Sequence, residues 1–351
     1  MLDYKELMSK VNAELKRPAL AGLSVDNAER IVSGLSSGSM TLNNALSGNP
    51  LVGYAWGKLI EIYGPESSGK TTLALHAIAE AMRLEESSGQ PIPCMFVDAE
   101  HALDIYYAEA LGVDLNRLAI SQPGCAEDAL AVVESGVRNG YKLVVIDSVA
   151  ALTPRAEIEG EFGESHMGLQ ARLMSQACRK LVALIATKGA IVIFLNQIRM
   201  KIGIMFGNPE TTSGGNALKF YTTYRIEIRS PRSGKKEGKS LMGYGTEDDK
   251  VEVSTIANVK VVKNKMFPPH RKASFTMEYG KGIHKIKDVV TFMETAGMFK
   301  SPGKDKAGRV KTPVVKMPAV NKQYTAVGLA KALEDLTVQT EVLKLIKKLG
   351  D

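Results

Sequence analysis

The sequence predicts an α/β protein with a mostly parallel central sheet, and three observations support this fold class. Residues 64–71 fit the pattern G-x-x-x-x-G-K-[ST] and lie between a strand pattern and a helix pattern. Downstream, apolar strand patterns alternate with helix patterns, which is typical of parallel sheets covered on both faces. Each of these strands ends in polar residues, and open α/β sheets bind ligands at those ends.

Length and composition limit the possible classes of protein. The 351 residues allow one large domain with small appendages, and the net charge of +7 suits a nucleic-acid partner without proving one. No apolar run is long enough to span a membrane, and the N-terminus does not read as a signal peptide. Three widely spaced cysteines (Cys94, Cys125 and Cys178) favour a reducing cytoplasm and no zinc site. We therefore expect a cytoplasmic protein.

The N-terminal segment carries the first helix pattern. Residues 3–16 place Leu7, Val11 and Leu15 in one stripe, and Pro18 ends the pattern. This helix lies outside the core, and it packs either on its own domain or on a neighbouring subunit; the pattern does not decide between them. Residues 34–57 are rich in Gly, Ser and Asn and lead into the first core strand.

The glycine-rich loop follows a strand pattern at residues 58–63 and precedes a helix pattern at 72–82. Glycine allows the backbone to curl until its N–H groups converge on one anion, and the positive end of the helix adds to this. Lys70 can bridge the terminal phosphates, and the Thr71 hydroxyl can hold Mg²⁺. A chance match in a Gly/Ser-rich turn is the alternative. The candidate nucleotide ligands are Gly64, Pro65, Glu66, Ser67, Ser68, Gly69, Lys70, Thr71 and Thr72.

Three later strand patterns deliver further candidates. Asp147 follows the apolar residues 143–146, the usual place for a carboxylate that orders Mg²⁺ through water, although it could simply make a turn. Glu100 follows residues 92–97 and could polarise a water beside the γ-phosphate, or could be a solvated carboxylate. Gln197 follows residues 191–195 and could read the γ-phosphate, but a glutamine at a strand end is usually structural.

The remaining patterns complete the fold prediction. Residues 126–138 and 168–188 read as helices, whereas 224–229 and part of 251–262 alternate and predict antiparallel strands that extend the sheet. Near the C-terminus, residues 286–297 and 326–348 read as helices on either side of a stretch rich in Lys, Gly and Pro. We divide the chain into an arm (1–35), a core (36–280) and a small basic domain (281–351).

Residues 198–216 form a long loop in which basic, aromatic and small hydroxyl residues occur without periodicity. Such a loop could grip single-stranded nucleic acid, or could be an ordinary surface loop. The loop at 157–167 is acidic, so its charge does not suggest DNA binding. Arg172, Ser175 and Arg179 share one helix face, which suits phosphate contact or, more commonly, solvent.

Several long motifs resemble the RecA family of bacterial and phage strand-exchange recombinases. The resemblance runs from about residue 38 to 229, resumes near 259 and weakly covers 280–300. The matching runs are GPESSGKTT (64–72), DAEHALD (98–104), DSVAALTP (147–154), SHMGL (165–169), NQIRMKIG (196–203), MFGNPETT (205–212), NALKFY (216–221) and VVKNK (261–265).

The resemblance implies a RecA-like P-loop ATPase core with a short N-terminal helical arm and a small C-terminal domain. It implies that Glu100 is the catalytic carboxylate, Gln197 the nucleotide sensor and Tyr107 the residue that stacks on adenine. Lys263 and Lys265 would reach the ATP site of the adjacent subunit. The implied catalytic set is Glu100, Lys70, Gln197, Lys263 and Lys265, with Thr71 and Asp147 at Mg²⁺.

Residues 160–168 and 198–213 would be the two DNA-binding loops, and Phe220 would lie at the subunit interface. The implied activity is ATP-dependent DNA recombination: a helical homo-oligomeric filament on single-stranded DNA that exchanges strands with a homologous duplex, away from any membrane. The candidate DNA contacts are Met167, Gly168, Arg172, Ser175, Arg179, Arg199, Met200, Phe206, Asn208, Thr211, Gly214 and Gly215.

The chain also departs from the family pattern. Residues 1–35 do not match the usual polymerisation arm closely, and residues 301–351 hold ten Lys/Arg against five Asp/Glu in place of an acidic tail. A hexameric helicase is a rival reading, but it should carry a preceding primase-binding domain. A RadA-like repair ATPase should show a CxxC module. A regulatory filament that binds ATP without turnover would need Glu100 to be inert. An ATPase assay would distinguish such a filament, because it would show no hydrolysis.

Overall fold

The computed structural model describes residues 33–84, 89–161, 168–200, 207, 209–230, 254–300, 312–317, 322–333 and 335–350, with isolated residues before 33. Its strands are β1 (Gly34–Leu35), β2 (Tyr54–Ala55), β3 (Lys58–Gly64), β4 (Cys94–Asp98), β5 (Leu118–Ser121), β6 (Leu143–Asp147), β7 (Ile191–Met200), β8 (Glu210–Thr212), β9 (Tyr224–Arg229), β10 (Ser254–Asn264), β11 (Lys272–Glu278), β12 (Gly282–Ile283), β13 (Val315–Met317) and β14 (Lys322–Tyr324).

The helices alternate with these strands through the centre of the chain. They are α1 (Met40–Ser47), α2 (Lys70–Met82), α3 (Ile105–Ala110), α4 (Ala126–Arg138), α5 (Arg155–Glu159), α6 (Leu169–Lys188), α7 (Ala217–Tyr221), α8 (Lys285–Thr295), α9 (Ala326–Ala332) and α10 (Leu336–Gly350). Two short 3₁₀ turns lie at Leu115–Arg117 and Val149–Ala151.

One ten-stranded sheet organises the described residues, in the order β12-β11-β10-β9-β3-β7-β6-β4-β5, with β8 paired to β7. The strands from β9 to β5 in this order run parallel, and β10, β11 and β12 extend the sheet in antiparallel fashion. The predicted α/β fold with a mostly parallel sheet is therefore confirmed. The prediction that residues 224–229 form an antiparallel strand is correct for one neighbour only. The strand β9 pairs antiparallel with β10 but parallel with β3.

Both faces of the central strands are buried, which explains why these strands are apolar at successive positions. Val145 packs on the face that α1 and α2 cover, whereas Val144 and Ile146 pack on the face that α4 and α6 cover. Burial of each such side chain stabilises the fold by about 1.5–3 kcal/mol. The sheet is therefore a rigid support for the loops at its ends.

The C-terminal part has a separate apolar cluster. Met293 of α8 packs in it with Leu329 of α9 and with Val342 and Ile346 of α10. The buried carboxylate of Asp288 connects α8 to the core, because it accepts hydrogen bonds from Ser39, Met40 and Thr41 at the start of α1. The division at residues 36 and 281 stays a prediction.

Several predicted elements differ from the structure. The single helix at 326–348 is wrong, since α9 ends at Ala332 and α10 begins at Leu336. Residues 34–57 contain the helix α1 rather than only a polar lead-in. The predicted loop 198–216 is shorter, because β7 and β8 pair Arg199 with Thr211. The predicted helix at 3–16 lies almost entirely outside the described residues.

Candidate active site and neighbouring loops

The P-loop curls between β3 and α2 at the carboxyl end of the parallel sheet. Gly69 stands immediately before α2 with φ = 93°, a left-handed conformation that glycine adopts without strain. Lys70 Nζ donates to the carbonyl oxygens of Gly64 and Pro65 at 3.2 and 2.7 Å. Burial lowers the pKa of Lys70 despite the nearby Asp147, Glu100 and Glu66 carboxylates. Phosphate oxygens could replace those carbonyls as the partners of the ammonium.

A cleft of about 610 Å³ opens beside this loop. Tyr106 and Tyr107 of α3 line it, and the Tyr107 hydroxyl is 2.9 Å from the Thr72 hydroxyl. Thr255 of β10 and Tyr279, which follows β11, line it as well. The sequence prediction included Tyr107 but missed Tyr279, which reaches the cleft only because β11 and β10 extend the sheet past β3. The full lining is Ser67, Ser68, Gly69, Lys70, Thr71, Thr72, Asp104, Tyr106, Tyr107, Ala110, Thr255, Met277, Glu278, Tyr279 and Gly280.

The predicted Mg²⁺ ligands lie together. Thr71 Oγ1 donates to Oδ2 of Asp147 across 2.7 Å, so α2 and β6 meet at this point. Burial is the main reason why the pKa of Asp147 is raised to about 6; the bond from Thr71 and the charge of Lys70 oppose the shift, and the charge of Glu100 adds to it.

Glu100 and Gln197 also meet at the strand ends. Gln197 Nε2 donates to Glu100 Oε1 across 3.1 Å, and the hydroxyl of Ser148 donates to the same oxygen. The backbone N–H groups of Ala99 and Glu100 donate to the carbonyl of Asp147 at 2.7 and 3.2 Å. The ends of β4, β6 and β7 thus form one hydrogen-bonded unit beside the P-loop.

Two buried acids that the sequence analysis did not single out support this unit. Asp98 accepts from the backbone N–H groups of Ala102 and Leu103 and from Gln122, and so shapes the loop that carries Glu100. Glu61, on β3, accepts from Asn196 Nδ2 at 2.9 Å and Arg225 Nε at 2.5 Å. These contacts join residues that are far apart in sequence. They could be predicted only if the order of strands in the sheet were known.

The described C-terminal end of the first predicted DNA-binding loop and the residues that follow the second lie at the first turn of α6. Gly168 directly precedes this helix, and Arg172 is exposed one turn further on. Gly214 and Gly215 pack against the same turn: a Cβ on Gly215 would lie 2.7 Å from Ala171 Cβ, and φ is 80° and 71° at the two glycines. A packing requirement therefore accounts for both glycines.

The other DNA candidates are placed as follows. On α6, Ser175 is half-buried and Arg179 is exposed, on the same face as Arg172. Arg199 and Met200 are exposed at the end of β7, and the Thr211 hydroxyl on β8 accepts from Lys219 Nζ at 3.0 Å. The candidates Met167, Phe206 and Asn208 lie outside the described residues.

Lys263 and Lys265 do not join the P-loop of their own chain. The register pairs Asn264 with Tyr224, the first residue of β9, so these lysines lie toward the amino ends of the parallel strands, away from the P-loop. Lys263 Nζ donates to the carbonyl oxygens of Lys219 and Phe220 at 2.7 and 2.9 Å, at the end of α7. Burial, together with the charges of Lys265 and Arg225, lowers the pKa of Lys263 to about 8. The Phe220 side chain beside them is 71% exposed.

The fold and the site define a P-loop nucleotide triphosphatase, with a glycine-rich loop after a parallel strand and two acids at the neighbouring strand ends. A family model described as the RecA N-terminal domain matches residues 4–284. The chain is 45% identical to Protein RecA of Macrococcus caseolyticus over 93% of this chain and 91% of that protein. It is 49% identical to Protein RecA of Acinetobacter baylyi over 86% and 82% of the two chains.

The chain belongs to the RecA family. It is accordingly an ATP-binding, DNA-dependent ATPase of recombination and repair, and the predicted family, enzyme class and function are confirmed. DNA binding and filament formation follow from the same membership. Within the described residues, no helix combines the length and apolar character that crossing a bilayer requires.

Proposed function

We propose that this protein polymerises on single-stranded DNA with ATP and Mg²⁺, pairs that strand with a homologous duplex and exchanges strands. ATP binding stabilises the DNA-gripping filament, and hydrolysis releases it. The observation that carries this proposal is the hydrogen-bonded unit of Glu100 and Gln197 beside the P-loop. In it, Glu100, the proposed base, is hydrogen-bonded to Gln197, the proposed γ-phosphate sensor, on the strand β7 that leads into the second predicted DNA-binding loop.

In the hydrolytic step, a water attacks the γ-phosphorus while the bond to the β-phosphate oxygen breaks. Glu100 takes the proton of that water, and Lys70 offsets the negative charge that spreads over the phosphate oxygens. Gln197, on β7, turns from Glu100 toward the γ-phosphate when ATP is present. Because β7 continues into residues 198–216, this turn passes the presence of ATP to the loop.

The residues present suit Mg²⁺. Thr71 offers a hydroxyl oxygen and Asp147 a carboxylate, and burial raises the pKa of Asp147 although the charge of Lys70 opposes the shift, so this carboxylate is short of compensating positive charge. Mg²⁺ usually takes one or two protein oxygens and fills its other positions with phosphate and water. Bound there, the ion would neutralise phosphate charge.

Lys263 and Lys265 act on the ATP of the adjacent subunit. Their position, away from their own P-loop and next to the exposed Phe220, supports this assignment. The α7 carbonyls that hold them are neutral partners that a phosphate can replace. Filament assembly therefore completes the hydrolytic site.

DNA lies along the first turn of α6, where Gly168, Arg172 and the second loop meet. The exposed Arg199 and the positive end of this helix suit phosphate groups, which supports the proposal.

We also assign residues 1–35 to a polymerisation arm and residues 281–351 to a small domain. The buried, unpaired Cys94, Cys125 and Cys178 support a cytoplasmic location.

The test measures ATP hydrolysis with and without single-stranded DNA, together with strand exchange between a circular single strand and a linear duplex. Lys70→Ala should abolish both activities. Lys142→Ala is its matched control, because Lys142 Nζ also donates to a backbone carbonyl, that of Lys188, but precedes β6 at the far end of the sheet. Normal strand exchange by Lys70→Ala would refute the proposal.

Glu100→Gln should form filaments with ATP that do not turn over. Glu109→Gln, at an exposed position on α3, removes a charge of the same type and should behave as wild type. Unchanged ATP turnover by Glu100→Gln would mean that another carboxylate is the base. Wild-type filaments that never hydrolyse ATP would favour a regulatory filament instead.

A further inference from the structure

Two donors hold one oxygen of Glu100. The Ser148 hydroxyl and Gln197 Nε2 both bind Oε1, and no hydrogen bond to Oε2 is present among the described residues. One oxygen of the carboxylate is therefore fixed and the other is available. That asymmetry suits a base, since the available oxygen can take the proton while the fixed oxygen keeps the group in place.

The two donors differ in how firmly they are held. Ser148 is 1% exposed and directly follows β6, and its carbonyl accepts from the backbone N–H of Ala151 at 3.0 Å. Gln197 is half-buried, and its bond to Glu100 lies in an exposed setting. Of the two, Gln197 is free to exchange partners, whereas Ser148 stays in place.

The backbone adds to this difference. Ala99 and Glu100 donate to the carbonyl of Asp147, the residue that precedes Ser148. The hydroxyl of Ser148 and the carboxylate of Glu100 are thus brought together by two strands already joined next to them. By contrast, Gln197 reaches Glu100 through its side chain alone.

We propose that Ser148 is the positioning residue for the catalytic base, holding Oε1 of Glu100 so that Oε2 accepts the proton of the attacking water. This inference rests on the proposed function, in which Glu100 is that base. When Gln197 turns to the γ-phosphate, Ser148 alone keeps Glu100 oriented. Ser148 retains its own proton throughout, while the water forms its bond to phosphorus and transfers one proton to Glu100.

The first experiment is steady-state ATP hydrolysis by Ser148→Ala with saturating single-stranded DNA. We expect kcat to fall at least about tenfold, because a misplaced catalytic group loses rate steeply, while KM for ATP stays within about twofold. Ser37→Ala is the matched control: it removes an equally buried hydroxyl, which donates to Asn43 at 2.7 Å, and should lower the melting temperature without changing kcat. Unchanged kcat in Ser148→Ala would overturn the proposal.

The second experiment separates positioning from a purely structural effect. If Ser148 acts through Glu100, adding Ser148→Ala to Glu100→Gln should lower the residual single-turnover rate by less than about twofold. If the double variant instead loses the product of the two single-variant rate reductions, Ser148 does not act through Glu100. Ser148→Thr, which keeps the hydroxyl, should recover most of the rate; thermal melting checks that it folds. DNA-stimulated hydrolysis by the wild-type protein must be present first, and its absence would refute the proposed function rather than this inference.

Discussion

Thr71 and Asp147 are joined by a 2.7 Å hydrogen bond, although one lies in the first turn of the P-loop helix and the other ends a strand. The bond satisfies only one of the acceptor sites of a carboxylate that is largely removed from water. The remaining desolvation raises the pKa of Asp147 to about 6. The ionised form of this carboxylate is therefore costly even with Lys70 nearby, and a bound divalent cation would offset that cost.

We expect Asp147→Asn to stabilise the nucleotide-free protein by about 1–3 kcal/mol at pH 7.5, because one pKa unit corresponds to about 1.4 kcal/mol. The folded pKa lies above the unfolded value of 3.8, so wild-type stability falls as the pH rises between these values. The gain should therefore shrink as the pH falls below 6. Chemical denaturation at pH 5 and 7.5 measures it. Asp98→Asn, at a carboxylate held by three donors, should instead destabilise; a loss of stability in both variants would contradict the argument.

The same carboxylate should make the binding of Mg²⁺ depend on pH. Mg²⁺ binds the ionised form of Asp147. The rise in melting temperature that Mg²⁺ causes in the ATP-bound protein should therefore become smaller as the pH falls through about 6. In Asp147→Asn this extra stabilisation should be small at every pH. A pH-independent effect of Mg²⁺ in the wild type would remove Asp147 from the metal site.

Lys263 should make filament assembly sensitive to alkaline pH. Its pKa is lowered to about 8, so it loses the charge needed to attract the adjacent ATP as the pH rises through that value. We expect weaker ATP-dependent assembly above pH 8, measured by light scattering. Lys263→Arg keeps the charge and should move the decline to higher pH. An identical profile in this variant would mean that another group causes the decline.

Tyr107 offers a matched pair of substitutions. Tyr107→Phe removes only the 2.9 Å contact with the Thr72 hydroxyl, whereas Tyr107→Ala removes the ring. If the ring stacks on adenine, KM for ATP should rise roughly tenfold in Tyr107→Ala and change little in Tyr107→Phe. Equal effects would indicate that the hydroxyl contact matters rather than stacking.

The basic C-terminal part should contact duplex DNA through its exposed lysines. Truncation after residue 300 is a poor test, because Met293 of α8 shares one buried apolar cluster with Val342 and Ile346 of α10. Neutralising Lys344 and Lys347 to glutamine leaves that cluster intact. Each lost phosphate contact should reduce the salt slope of duplex binding by roughly 0.9. Equal slopes would mean that both lysines are merely solvated.

The parts of the molecule governed by local chemistry could be predicted from sequence. The helix Ala126–Arg138 has its predicted bounds, and the P-loop lies between the expected strand and helix, because periodicity and turn residues are encoded within a few positions. The break between α9 and α10 was missed, since the amphipathic pattern continues across residues 333–335. The contact of Ser148 with Glu100 depends on β4 and β6 being neighbours, which no local pattern records.

The placement of Lys263 and Lys265 at the edge of the sheet away from their own P-loop has a consequence for filament ends. If each hydrolytic site takes its lysines from the next chain, a filament of n subunits contains n − 1 complete sites. The P-loop at one terminus faces no lysines, so ATP bound there outlasts ATP elsewhere. Turnover per chain then grows with length as (n − 1)/n, and the two ends of a filament differ chemically although every chain is the same.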